Sequence, residues 1–85
     1  MMRIRLHPHA AARLIERGAT QSEAIEAVRS GSRSPAKFGR FKFVRNFAFG
    51  GKWMGRRYTM KQVHAIAARK ATDDWLIVTV IVKYF

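Results

Sequence analysis

The last eleven residues, Trp75–Phe85, constrain the fold more than any other segment. They carry Ile77, Val78, Val80, Ile81 and Val82 around a single Thr79, with neither glycine nor proline. β-Branched side chains in such density favour extended backbone, so the segment is expected to be a central strand. Strict alternation puts Leu76, Val78, Val80, Val82 and Tyr84 on one face, and Ile77, Thr79, Ile81 and Lys83 on the other. The nearly all-Val face is expected to meet helices, which leaves Thr79 and Lys83 on an open face.

The rest of the chain supplies partners for that strand. Arg3–Leu6 alternates charged and apolar residues and reads as a short first strand. Pro8 suits a first helical position, Ala10, Ala11, Leu14 and Ile15 recur at helical spacing, and Gly18 is a stop. Thr20-Gln21-Ser22-Glu23 is a capping-box pattern, which predicts a second helix over Gln21–Ser30, ended by Gly31. Ser32–Pro35 reads as a loop. Phe41, Phe43, Phe47 and Phe49 then share one strand face, Gly50-Gly51 is a hairpin turn signal, and Tyr58–Ala68 is a further strand before the polar turn Thr72-Asp73-Asp74. The predicted architecture is α+β in the order β-α-α-β-β-β: a single domain over residues 1–85, its two N-terminal helices packed on one face of a mainly antiparallel sheet.

At 85 residues one core is only just adequate, and with no cysteine neither a disulfide nor a thiolate metal site reinforces it. Met1–Leu6 is too short and too charged for the apolar part of a signal peptide. Trp75–Val82, the longest apolar run, falls well short of a membrane span. A soluble, cytoplasmic protein without membrane attachment is expected.

Charge narrows the partner. Seventeen Lys and Arg against five Asp and Glu give a net charge of +12. Between Lys37 and Lys61 stand Lys37, Arg40, Lys42, Arg45, Lys52, Arg56, Arg57 and Lys61 with no acidic residue, and Phe38, Trp53 and Tyr58 join the four strand Phe residues there. Cations contact phosphates and aromatic faces stack on unpaired bases, so RNA is the leading partner; an acidic protein is the other class such charge attracts.

Several chemistries are set aside. The carboxylates are not clustered as metal-dependent nucleases require, and His7, His9 and His64 stand at no familiar metal-ligand spacing. Neither a P-loop nor a dinucleotide fingerprint is present. One reaction suits the remaining His, Arg, Lys and Tyr: RNA cleaved by its own 2′-hydroxyl, for which a protein need only move protons and stabilise the phosphorane. Arg45 draws notice because alternation places its guanidinium among four Phe, which is costly unless it is paired, displaced by a bulge, or on an open functional face. His7 and His9 flank Pro8 one turn before Arg13, either a phosphate-facing cluster or simple caps. His64 shares a face with Gln62, Met60 and Tyr58, but its neighbours depend on register.

His9-Ala10-x-x-Arg13-x-x-Glu16-Arg17-Gly18, followed by a capped second helix, resembles a family of small bacterial domains of unknown function that is similar to the RelE and BrnT toxins, within the barnase–EndoU–colicin–RelE nuclease fold. The resemblance continues through Pro35–Arg40, Arg45-Asn46-Phe47, Trp53, Gly55, Lys61-Gln62-Val63 and Lys83-Tyr84-Phe85. It implies a metal-independent, cofactor-free ribonuclease toxin with a RelE-like fold, acting on RNA, free or at the ribosome, and bound by a small acidic antitoxin. Carried over by position, His9, Arg45, Lys61 and Tyr84 are the catalytic candidates, with His9 as acid or base, Lys61 or Tyr84 as second proton-transfer group and Arg45 on the phosphate. Arg13, Lys37, Arg40, Gln62 and Lys83 are the RNA or phosphate contacts. His64 stands where that family commonly has an acidic residue. A non-catalytic nucleic-acid- or partner-binding module is the alternative.

Overall fold

The computed structural model describes residues 2–85. Its elements are β1 (Arg3–Leu6), α1 (Pro8–Arg17), α2 (Gln21–Ser30), β2 (Ser32–Pro35), a 3-10 turn (Lys37–Gly39), β3 (Phe41–Trp53), β4 (Arg56–Ala71) and β5 (Asp74–Tyr84). Both helices begin and end on the residues that signalled them. The His7 ring nitrogen Nδ1 accepts the His9 N–H at 3.1 Å to cap α1, and Thr20 and Glu23 form the reciprocal capping box of α2. Gly18 closes α1 at φ 76°, a left-handed position that an L side chain adopts only with strain.

The sheet order is β1-β5-β4-β3-β2. β1 runs parallel to β5 while the other pairs are antiparallel, so the sheet is mixed rather than mainly antiparallel as expected. The helical hairpin between β1 and the later strands carries the chain across the sheet and makes the parallel pairing possible. β5 is an interior strand as expected, although β4 holds the centre.

Both helices lie on one face. Ala10 and Leu14 of α1 and Ala24, Ala27 and Val28 of α2 close over Phe43, Val63, Ala65, Ala67, Trp75, Ile77 and Val80. Alanines on both sides of this contact let helix and sheet backbones approach, which explains the Ala-rich end of β4: Ala65 and Ala67 are fully buried. Phe41 and Phe43 meet the Trp75 ring edge-on at centroid distances of 5.6 and 5.1 Å.

Three further expectations need correction. Ser32–Pro35 is not a loop but an edge strand, paired with Phe41–Val44. Its ladder uses backbone atoms alone, so polar side chains hid it, and Pro35 sits at an edge where a missing N–H is tolerated. Gly50-Gly51 is not the hairpin turn. It forms a bulge between Ala48 and Gly51, β3 continues to Trp53, and the turn is Met54-Gly55, both residues at positive φ as a two-residue hairpin demands.

The third correction matters most. Ile66 pairs with Thr79 but Ala67 pairs with Ile77, so Val78 is an extra residue that reverses the alternation of β5. Trp75 and Ile77 face the helices before the bulge; Val80, Val82 and Tyr84 face them after it. Leu76 and Val78 turn to the opposite side, contrary to the expected all-Val face. The bulge lets Ile77 and Val80 both be fully buried.

Candidate nucleic-acid interface

Pairing across β3, β4 and β5 sorts side chains into rows. On the helix-covered face the rows are Phe47–Lys61–Tyr84, Arg45–Val63–Val82, Phe43–Ala65–Val80 and Phe41–Ala67–Ile77. The intervening rows, Asn46–Gln62–Lys83, Val44–His64–Ile81 and Lys42–Ile66–Thr79, form the other face, which no helix covers. Thr79 and Lys83 thus lie on the open face as expected, and the register brings His64 to join them.

His64 is the centre of this face. It is only 8% exposed, packed between Val44 and Ile81, and its Nε2 lies 2.6 Å from Gln62 Oε1. The Gln62 amide nitrogen donates to Asn46 Oδ1 at 3.0 Å, which orients the carbonyl oxygen of Gln62 toward the imidazole. That arrangement keeps the ring proton on Nε2 and leaves the lone pair on Nδ1. Burial first, then the Lys83 and Lys42 ammonium groups, hold the His64 pKa below its ordinary value. The imidazole is therefore neutral at physiological pH, between two lysines.

Those cations lack acidic neighbours. Glu16, Glu23 and Glu26 pair with Arg13, Lys61 and Arg45 respectively, away from this face, while Asp74 pairs with Arg5 on the open side, where β1 meets the start of β5. Among the described residues, Lys42, Lys83, Arg40 and Lys70 form no ion pair. Beyond the Lys42–Ile66–Thr79 row, His7, His9, Arg40 and Lys70 surround a cleft of about 410 Å³ over Leu76 and Val78. The Val78 bulge is what supplies its apolar floor.

The sequence-derived candidates fall into distinct places. Gln62 and Lys83 lie together beside His64, and His9 and Arg40 line the cleft. Lys37 is exposed on the 3-10 turn, while Arg13 is held by Glu16 at 2.7 Å on α1. The other three lie on the helix-covered face. Lys61, 6% exposed, bonds Glu23 at 2.9 Å and the Gly18 carbonyl at 3.1 Å. Tyr84 donates its hydroxyl to the Arg17 carbonyl at 2.7 Å and stacks on Trp53; burial, with Glu23 adding to it, raises its pKa. Arg45 keeps its expected face and is paired, contacting Glu26 at 3.2 Å, the Ser30 hydroxyl and the Phe47 ring. It stands at the rim, past the end of β2, where a hollow of about 400 Å³ also touches Asn46 and Gln62. Arg17 bonds the Val80 carbonyl, on the stretch of β5 that β1 is too short to reach.

Lys42, Asn46 and His64 were undervalued by sequence. The alternation of β3 does place Lys42 and Asn46 opposite the Phe row, but only the β3–β4 register sets them beside His64. Among the described residues no three His, Asp or Glu side chains converge as metal ligands, and no helix is long and apolar enough to cross a membrane. Comparison with protein-family models, curated proteins and solved structures finds no match to this chain.

Proposed function

We propose that this protein is a RelE-like ribonuclease toxin that receives RNA on the open face of its sheet and cleaves it without a metal, in a pair with a small acidic antitoxin. The observation that carries the reading is the collection of unpaired cations around a neutral, oriented histidine, in strand rows that hold no carboxylate. Lys42 and Lys83 neutralise phosphate on either side of His64. The 2′-oxygen attacks phosphorus and the bond to the 5′-oxygen breaks. His64 Nδ1 takes the 2′-proton, solvent returns one to the leaving oxygen, and the two ammonium groups stabilise the phosphorane. In this reading Arg45, Lys61 and Tyr84 hold the helices to the sheet.

The 8% exposure of His64 favours a second reading, an RNA-binding module without catalysis, because a proton acceptor must reach the 2′-hydroxyl. The test incubates purified protein with long single-stranded RNA in chelator, alone and with ribosomes. The toxin reading expects products ending in 2′,3′-cyclic phosphate, lost in His64→Ala while binding persists. Binding without cleavage in both settings leaves the module; absence of binding rejects both.

A further inference from the structure

Phe38 is an aromatic side chain that the fold does not use. It is 86% exposed, and its backbone sits at φ 62°, ψ 34°, in the left-handed region that a bulky residue rarely holds. A loop selected for stability alone would carry glycine there, as it does at the next residue, Gly39, with φ 69°. An exposed ring kept in a strained position points to a ligand. Next to it, the Arg40 guanidinium carbon lies 5.7 Å from the Phe38 ring centroid, and Arg40 is also a wall of the cleft formed with His7, His9 and Lys70. The loop therefore joins an aromatic platform to a cationic, apolar-floored hollow.

We propose that Phe38 and this cleft form a subsite for one unpaired nucleotide of an RNA strand, its base stacked on Phe38 and its adjoining phosphate held by Arg40, Lys70 and His9. The inference rests on the RNA reading above and deepens it, because a stacking platform selects single-stranded over duplex RNA. Three features fit this ligand. Charge is complementary, since two cations and two imidazoles line the cleft and no carboxylate does. Leu76 and Val78 give the sugar an apolar surface. The position is continuous with the open face: Leu76 pairs with Ala68, next to the Ile66–Thr79 pair, so a strand crossing His64 runs on into the cleft.

The test measures binding of a short single-stranded oligoribonucleotide, and of the duplex of the same sequence, over a range of salt. Phe38→Gly is the informative variant, because it removes the ring while relieving the backbone. Its resistance to urea should equal or exceed that of wild type, so lost binding is not lost folding. Expected is an affinity loss of about tenfold for the single strand, none for the duplex, and recovery in Phe38→Trp. Arg40→Ala with Lys70→Ala should flatten the salt dependence by about two units. Should Phe38→Gly bind the single strand like wild type, or lose both RNAs equally, the subsite is overturned while the RNA reading stands. Wild-type protein that binds neither RNA overturns both.

Discussion

The two faces of the sheet use the same residue types for opposite ends. On the helix-covered face the cations beside the helices have partners: Lys61 has Glu23 and a carbonyl, and Arg45 has Glu26 and a hydroxyl. On the open face Lys42 and Lys83 have none, and between them they help to keep His64 neutral. Paired charge holds helices in place, whereas unpaired charge of one sign costs self-repulsion and is relieved by an anionic ligand. A basic residue in this chain is thus read by which side of the sheet it occupies, not by its place in the acid-free stretch.

Perturbing the covered face should act on stability. The largest effect is expected for Gly18→Ala, where a Cβ would meet Trp53 at 2.5 Å and the Tyr84 hydroxyl at 2.6 Å on a left-handed backbone. Strain and overpacking together should cost about 3–4 kcal/mol in urea unfolding. Lys61→Met leaves Glu23 without its cation beneath the helices and should cost about 3 kcal/mol by the same measurement. A Lys61→Met variant that folds as stably as wild type but no longer acts on RNA would break the comparison, and would return Lys61 to the chemistry that the family resemblance implies.

Perturbing the open face should leave stability alone. Lys42→Ala with Lys83→Ala should change unfolding free energy by less than about 0.5 kcal/mol, yet flatten the salt dependence of RNA binding by about two units. Arg45, at the rim, gives a sharper boundary. Its pair with Glu26 is partly exposed, so Arg45→Ala should cost below about 1 kcal/mol, and should alter the salt slope less than Lys83→Ala does.

The smallest effect is on titration. His64 has its pKa depressed in the folded chain by burial, Lys83 and Lys42. Below the ordinary histidine value the unfolded chain binds the proton more readily than the native one. The His64 contribution to stability is therefore full above that value and declines as pH falls toward the native pKa. Lys83→Ala should raise the His64 pKa toward normal, seen by NMR titration of its ring, and shrink the acid loss. Bound polyanion should shift it the same way.

Much of the frame could be read directly. The caps at Thr20 and Glu23, the stop at Gly18 and the alternation of Phe41–Phe49 are local signals, written within a few residues of what they control. β2 escaped because backbone pairing leaves no mark on a polar tetrapeptide, and the Met54-Gly55 turn because Gly50-Gly51 offered a stronger turn signal nearby. The site was legible only in pieces. Gln62, Lys83, His9 and Arg40 could be singled out as polar residues, but nothing within any one segment says which strand stands beside which.

By itself the sequence determined the two helices, the three long strands, the faces of β3 and the absence of acid between Lys37 and Lys61; each is a property of neighbours along the chain. The tertiary structure alone decided which cations are free. Pairing register set His64 between Lys42 and Lys83. The single-residue bulge at Val78 turned Leu76 and Val78 out to floor the cleft, and the docking of α2 gave Lys61 and Arg45 their carboxylates. Those outcomes depend on contacts between residues far apart in sequence, where a shift of one position exchanges the two faces.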